Sequence, residues 1–279
     1  MLISFWRRIR LEILVIIVIG AYPALCWPEA ENVPAPGSAA ERFKSIWNTA
    51  TLYHNPDNPV IQSFSLVGRY QGQFWSVDAD QGNADGWEDR RSTFGFRSWV
   101  FTDFVLHAEL KVKPDGSPGD ATLDTADISW IPAETGFSAR LGLLSYLFTG
   151  LERNTSSRKI PTFERGLLVN QLMPSRVLGL HIKKMIDKFS IHGGVYSGHI
   201  GEGFNKTDAG LVAGLGLVYK FPLFLNRGNL HLDFLYNDGD PGDNAFKPYR
   251  QVVSFWYKGY QGAFGLGMDL TGGSGGFDG

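Results

Sequence analysis

The chain has almost no cysteine, no excess of either charge and no long apolar run. Cys26 is the only cysteine among 279 residues, so no intramolecular disulfide can form. The formal net charge is −2, which gives no global basic field of the kind that attracts nucleic acid. No apolar run is long enough for a transmembrane helix, which excludes a helical membrane protein. A membrane β-barrel is not excluded, because its lipid face occupies only every second residue.

Catalytic and metal-binding motifs are also missing. The six histidines form no His-Glu-x-x-His motif and pair with no cysteine. The segment 272–276 matches G-x-S-x-G in its letters only, and we interpret it as a flexible tail. Acidic segments at 78–85 and 238–243 have oxygen ligands at calcium-like spacing, but ordinary turns explain them better. The sequence therefore predicts no enzyme, no metal site and no cofactor.

The chain does have alternation of the kind that marks two-faced β-strands. From Phe104 to Lys113, apolar residues alternate with His107, Glu109 and Lys111, and similar alternation recurs from Ile61 onward. One face of each strand is expected to meet an apolar phase and the other water. We predict eleven strands, at 61–76, 89–101, 104–113, 122–131, 136–146, 176–186, 189–199, 209–221, 229–238, 248–258 and 262–270.

The lengths of the connections favour a transmembrane barrel over a β-sandwich, which would also alternate. Long connectors are predicted at 77–88, 114–121, 147–175, 200–208 and 239–247. These long connectors alternate with short ones at 102–103, 132–135, 187–188 and 260–261, and the connector at 222–228 is of intermediate length. Outer-membrane barrels have long external loops and short periplasmic turns. The predicted fold is therefore an all-β, antiparallel transmembrane β-barrel.

The parity of each strand predicts which side chains face lipid and which face a water-filled interior. The predicted outward residues are Phe64, Leu66, Tyr70, Phe94, Phe96, Leu141, Leu143, Leu215, Leu217, Tyr219, Leu232, Phe234, Phe264, Leu266 and Met268. The predicted inward residues are Arg69, Arg91, Arg97, His107, Glu109, Lys111, Asp127, Arg140, His181, Lys183, His192, Asp233 and Asp269.

The N-terminus predicts export. Arg7, Arg8 and Arg10 precede the mostly apolar run from Leu11 to Ile19, and small residues follow, as in a secretory signal. We predict a signal peptide at 1–30, an N-terminal leader at 31–60 with a possible short helix starting after Ser38, and a barrel domain at 61–279. The predicted location is the bacterial outer membrane.

Four segments of the chain resemble those of a known protein family, both in their order and in their spacing. They are Phe64-Ser-Leu-Val-Gly-Arg-Tyr-Gln-Gly-Gln73, Asp85-Gly-Trp-Glu-Asp-Arg-Arg-Ser-Thr-Phe-Gly-Phe96, Thr155 to Leu168, and Pro174-Ser-Arg-Val-Leu-Gly179. Together they resemble the phosphate-selective porin O and P family. The resemblance implies a sixteen-stranded outer-membrane barrel, usually a homotrimer, whose third external loop folds into the lumen. Here that loop would be 147–175.

The resemblance also implies which residues hold a permeating anion. On the loop these are Arg158, Lys159 and Arg165, and Arg90 or Arg91 would stand at the head of the second strand. The full predicted pore-lining set is Arg91, Arg97, Arg140, Arg158, Lys159, Arg165 and Lys183. An alternative role for the arginines is structural, in ion pairs with neighbouring acidic residues that stiffen the barrel wall.

Two features depart from the family pattern. Ser145-Tyr-Leu-Phe148 stands where the family commonly has a lysine near the constriction. Eleven strands also fall short of sixteen, and the sequence after Gly272 lacks a terminal aromatic residue, so a C-terminally truncated barrel is expected. The predicted function is a porin that passes small hydrophilic, anionic solutes, phosphate among them. The alternative is a secreted or outer-membrane β-protein that acts as an adhesin or binding module.

Overall fold

The structure is a computed structural model that describes residues 20–23, 49–79, 82–112, 122–145, 176–197, 210–222, 227–238, 249–261 and 264–276. These residues form thirteen strands: β1 Gly20–Pro23, β2 Thr51–His54, β3 Ile61–Ala79, β4 Gly82–Val100, β5 Phe104–Lys111, β6 Thr122–Trp130, β7 Phe137–Ser145, β8 Arg176–Ile186, β9 Phe189–Ser197, β10 Leu211–Lys220, β11 Arg227–Asn237, β12 Tyr249–Gln261 and β13 Phe264–Gly276. Among the described residues, no helix is long and apolar enough to cross a bilayer.

The chain divides into two compact units. One contains β2 to β7 and is called the N-terminal sheet; the other contains β1 and β8 to β13 and is called the C-terminal sheet. Within each sheet, strands that follow one another in the chain pair antiparallel. β1 pairs antiparallel with the start of β13. The prediction of an all-β antiparallel architecture is confirmed.

Short turns join β4 to β5 and β8 to β9 where the sequence predicts them. The predicted turn at 260–261 is wrong, because both residues lie in β12 and pair with β13. Phe101 and Thr102 in the β4–β5 turn have φ angles of 50° and 68°, and Asp187 in the β8–β9 turn has a φ of 50°. These left-handed conformations reverse the chain within two or three residues, and for a β-branched residue such as Thr102 they are uncommon. The two hairpins therefore turn tightly.

The predicted loop at 77–88 is wrong. β3 and β4 stay in register through this segment, from Gln73 opposite Glu88 to Ala79 opposite Gly82. Asp and Gly residues suggested turns, but cross-strand hydrogen bonds hold them in extended backbone. The predicted tail at 272–276 is wrong for the same reason, because β13 continues along β12 to Gly276.

Two of the thirteen described strands lie upstream of the eleven predicted ones. β1 falls inside the predicted signal peptide, and β2 falls inside the predicted leader. In β2, Tyr53 lies opposite Phe64 and His54 opposite Ser63. The possible helix after Ser38 lies outside the described residues.

Each sheet exposes an apolar face. Across β9 to β13, register partners form an unbroken apolar row whose side chains are between 43% and 48% exposed, namely Ile191, Leu217, Leu232, Phe255 and Leu270. On the opposite face, Asp233 is 0% exposed and His192 is 8% exposed. This is the reverse of a soluble core and is the pattern expected when lipid surrounds the outer face.

The register places every predicted inward residue on the polar face of its sheet. The predicted outward residues lie on the apolar face. One of them, Leu143, is nevertheless buried, at 0% exposed. Strand parity selects the face of the sheet, whereas exposure depends on what the rest of the protein packs against it. The side chain of Phe264 lies outside the described set.

Candidate functional site

The polar face of the N-terminal sheet is centred on the carboxylate of Asp127, whose side chain is 2% exposed. Arg140 donates to it through Nη2 at 2.9 Å and through Nε at 3.3 Å. Ser129 Oγ donates to Oδ1 at 2.9 Å, and His107 Nδ1 lies 3.4 Å from Oδ2. A buried carboxylate is thus held by a cation and further donors, which is how such a charge is tolerated.

Strand register builds this cluster. His107 on β5 lies opposite Asp127 on β6, and the next strand presents Gly142 opposite Asp127. Gly142 has a φ of 138°, and a Cβ there would lie 2.2 Å from the carbonyl oxygen of Ala126. Only glycine fits, because β6 and β7 approach too closely there for any side chain. On the other side of the cluster, His107 Nε2 lies 2.8 Å from Glu109 Oε1.

The polar face of the C-terminal sheet carries a row of register partners that crosses six strands. From β8 to β13 the row is Lys183, His192, Gly216, Asp233, Ser254 and Thr271. His192 Nε2 and Asp233 Oδ1 lie 3.4 Å apart although β10 runs between their strands. They meet over Gly216, where a Cβ would lie 2.0 Å from His192 Nε2 and 2.5 Å from Asp233 Oδ1. Because Gly216 has no side chain, His192 and Asp233 can come into contact across β10.

An uncharged donor holds the Asp233 carboxylate in this row. Trp256 Nε1 donates to Oδ2 at 2.8 Å. The Trp256 ring stacks on His231 with centroids 3.3 Å apart and planes 15° apart, which fixes its orientation. Farther along, the Thr271 hydroxyl donates to Asp269 Oδ1 at 2.8 Å. Trp256 and Thr271 were not predicted as inward residues. Thr271 shares strand parity with the predicted inward residue Asp269, and Trp256 is the register partner of Asp269 on β12.

One more histidine, His181 on β8, lies on this polar face. His181 Nδ1 lies 2.7 Å from the hydroxyl of Tyr196, and the rings of His181 and His192 are 5.6 Å apart. Among the described residues, no group of three or more histidine, cysteine or acidic side chains could hold a metal ion. The side chains of this part of the polar face can therefore donate and accept hydrogen bonds.

Charge is distributed very differently on the two faces of the described strands. Register and alternation place ten basic residues on the polar faces: Arg69, Arg91, Arg97, Lys111, Arg140, Lys183, Lys220, Arg227, Arg250 and Lys258. Six acidic residues accompany them: Glu88, Glu109, Asp124, Asp127, Asp233 and Asp269. Asp124 is included although it is the extra residue of a β-bulge in β6. The polar faces are therefore net positive, although the whole chain has a formal net charge of −2.

On the apolar faces, the described charged side chains avoid the middle of the sheet. Arg176 is the first residue of β8, and Lys184 lies two residues before its end. Asp78, Asp85 and Asp89 lie in the far part of the β3–β4 hairpin. The uncharged band between them matches the requirement that a lipid-facing surface carry no charge near the bilayer centre.

Four of the predicted pore-lining residues can be placed. Arg91 donates to Gln71 Oε1 at 3.2 Å, and Arg140 pairs with Asp127. Arg97 and Lys183 are exposed on the polar face. The other three, Arg158, Lys159 and Arg165, lie outside the described residues, so their position in a lumen stays a prediction.

No family model matches the chain, and no curated protein matches it. Among solved structures, the chain is similar to a five-substitution variant of the Rh. blastica porin. The TM-score is 0.37 and the identity 12%, over 75% of this chain and 84% of that one. Neither the solute nor the assembly of that porin transfers to this chain at such a likeness.

Proposed function

We propose that the protein is an outer-membrane β-barrel of the porin type, with its apolar face in lipid and its polar face around a water-filled channel. The observation that carries the proposal is the inversion of burial: the row through Leu217 and Phe255 is exposed, whereas His192 and Asp233 on the other face are buried. Open sheet edges are unfavourable in hydrocarbon, so strands of this kind must close into a barrel.

Small anions are the proposed solutes. Ten basic against six acidic residues on the described polar faces make the wall net positive. Fixed charges at a narrow aqueous pore attract ions of opposite sign more strongly than they would in open water. The resemblance to the phosphate-selective porin O and P family supports the same class of solute. We also propose, from that resemblance, a homotrimer, which native mass spectrometry of the detergent-extracted protein would test.

Planar-bilayer conductance tests the channel, and two adjacent lysines supply a matched pair of variants. Lys183 lies on the polar face and Lys184 on the apolar face. We expect stepwise conductance from the wild-type protein and a reversal potential of anion-selective sign in a KCl gradient. Lys183→Glu should shift that potential towards cation selectivity, whereas Lys184→Glu should leave it unchanged in the channels that form.

Several outcomes would contradict the proposal. Absence of any conductance would overturn the channel. Equal shifts from both lysine variants would mean that the potential does not arise from the polar wall. For the loop predicted from the resemblance, replacing Arg158, Lys159 and Arg165 together by glutamate should shift selectivity further. An unchanged potential would place that loop outside the pore.

A further inference from the structure

The β3–β4 hairpin extends beyond the other described strands of the N-terminal sheet. β5 has register partners on β4 only from Thr93 to Val100, and β2 reaches no farther along β3 than Ser65. Residues 70–79 and 82–92, called the ribbon, pair with each other. At the base of the ribbon, Val112 N also donates to the carbonyl oxygen of Ser92 at 2.9 Å. A two-stranded ribbon has little stability of its own in water. Contact with a partner outside the sheet would stabilise it.

The proposed membrane orientation sets the height of the ribbon, and the inference rests on that orientation. About 9–11 residues of a tilted strand cross the hydrocarbon layer. In β3 the stretch from Ile61 to Arg69 is long enough to cross it, so the ribbon lies beyond the hydrocarbon on the long-loop side. One face of the ribbon continues the apolar face of the sheet. That face is therefore directed at the neighbouring lipids and not at the channel.

On that face the ring of Trp87 is held flat. A Cβ at Gly72 would lie 2.2 Å from Cζ2 of Trp87, so the indole rests directly on the glycine backbone. Its Nε1 donates to Asp89 Oδ1 at 3.2 Å, which fixes the ring within its plane. The side chain is still 63% exposed. One broad aromatic surface is thus fixed on the ribbon and open to the outside.

Two further rings and one carboxylate complete the surface. Tyr70 is 63% exposed and its hydroxyl donates to the same Asp89 carboxylate. Phe74 is 60% exposed and is the register partner of Trp87. We call Tyr70, Phe74, Trp87 and Asp89 the aromatic platform. Other described charges on this face of the ribbon are also acidic, at Asp78 and Asp85, which disfavours an anionic ligand.

We propose that the aromatic platform binds uncharged sugar units in the headgroups of surrounding glycolipids. The apolar C–H side of a pyranose ring packs against an open aromatic face, and its hydroxyls can donate to a carboxylate that already orients the rings. A quaternary ammonium ligand would need rings that enclose it, whereas these three rings share one face of a ribbon. The outward direction of that face selects a membrane glycolipid over a solute in the channel.

The chain supplies a matched control. Trp75 occupies the equivalent position on the opposite face of the ribbon, where a Cβ at Gly86 would lie 3.0 Å from its Cζ2. Trp87→Ala and Trp75→Ala each remove one indole that covers one glycine. Only the first removes a ring from the platform. Asp89→Asn is a milder variant that keeps an acceptor oxygen but removes the charge that orients both Tyr70 and Trp87.

Saturation-transfer difference NMR on the detergent-solubilised full chain measures the contact. The probes are the dephosphorylated core oligosaccharide of lipopolysaccharide and, as an unrelated neutral glucan, isomaltoheptaose. We expect transfer to the core oligosaccharide, at least a tenfold loss of affinity with Trp87→Ala, a smaller loss with Asp89→Asn, and no loss with Trp75→Ala. Heat-modifiable migration in gels verifies that each variant is folded.

Three outcomes would overturn the proposal: no transfer to the oligosaccharide, equal loss from both tryptophan variants, or equal affinity for isomaltoheptaose. The last would mean that the platform takes free glucan and has no preference for glycolipid sugars. Conductance is measured separately. A protein that conducts without binding sugar refutes only the platform, and one that binds sugar without conducting refutes only the channel.

Discussion

The two sheets each bury a carboxylate on the polar face, and they stabilise it in different ways. Asp127 in the N-terminal sheet is neutralised by Arg140, whose side chain remains 30% exposed. Asp233 in the C-terminal sheet is 0% exposed and receives the uncharged indole N–H of Trp256, with His192 at 3.4 Å. Among the described residues, Asp233 Oδ1 has no hydrogen bond of good geometry.

Because the two carboxylates have different partners, the two clusters can serve different roles: contact with solute, or packing between strands. In the proposed channel, the partly exposed arginine that pairs with Asp127 would lie within reach of a passing solute. A carboxylate enclosed by His192, Trp256 and the bare backbone of Gly216 contributes to packing between strands instead. Of the two carboxylate clusters, the one around Asp127 and Arg140 is therefore the better candidate for contact with solute, and the one around Asp233 for stiffness of the sheet. The predictions below test this contrast.

The largest effect is expected on the apolar faces, where the two sheets should behave alike. Leu141 in the N-terminal sheet is 56% exposed and Leu217 in the C-terminal sheet is 44% exposed. Replacing either by arginine should cost about 2–4 kcal/mol of unfolding free energy, because a charge near the bilayer centre is poorly solvated. Urea unfolding in phospholipid vesicles, followed by tryptophan fluorescence, measures the cost. An effect in one sheet only would mean that the other does not face lipid.

The next effect concerns the glycine on which the C-terminal row depends. Gly216→Ala places a methyl group against His192 and Asp233, so the two side chains must separate, at an expected cost of about 1–3 kcal/mol. Gly272→Ala is the matched control, because its Cβ would have no heavy atom within 4 Å. Its cost should stay within about 0.5 kcal/mol. Similar losses from both variants would show that the cost is not specific to the contact between His192 and Asp233.

The smallest effect compares the carboxylates directly. Asp127→Asn leaves Arg140 without its ionised partner and should cost about 1–3 kcal/mol. Asp233→Asn keeps an oxygen acceptor for Trp256 and removes a buried charge, so it should cost less than about 1 kcal/mol. The Asp127→Asn cost should shrink as salt rises, because Arg140 is partly exposed. A larger or salt-dependent cost at Asp233 would reverse the contrast between the sheets.

Much of the candidate site was predictable because strand parity is local. Arg97, Arg140 and Lys183 were assigned to the polar face from alternation alone, and the register agrees. The strand residues at 77–79 and 82–88, in the outer part of the ribbon, were missed because Asp and Gly residues resemble a turn when their strand partner is unknown. Trp75 and Trp87 cover glycines on the facing strand, a contact that no local pattern reveals.

By itself, the sequence determined that the chain forms two-faced antiparallel strands, because side chains alternate with the covalent geometry of an extended backbone. The tertiary structure alone decided which residues meet across strands. His192 and Asp233 are 41 residues apart in sequence, and they meet only because β9 and β11 align on either side of Gly216. A shift by one residue would reverse the faces, and a shift by two would separate the pair. Register is a property of the assembled sheet, so the short-range pattern could not specify it.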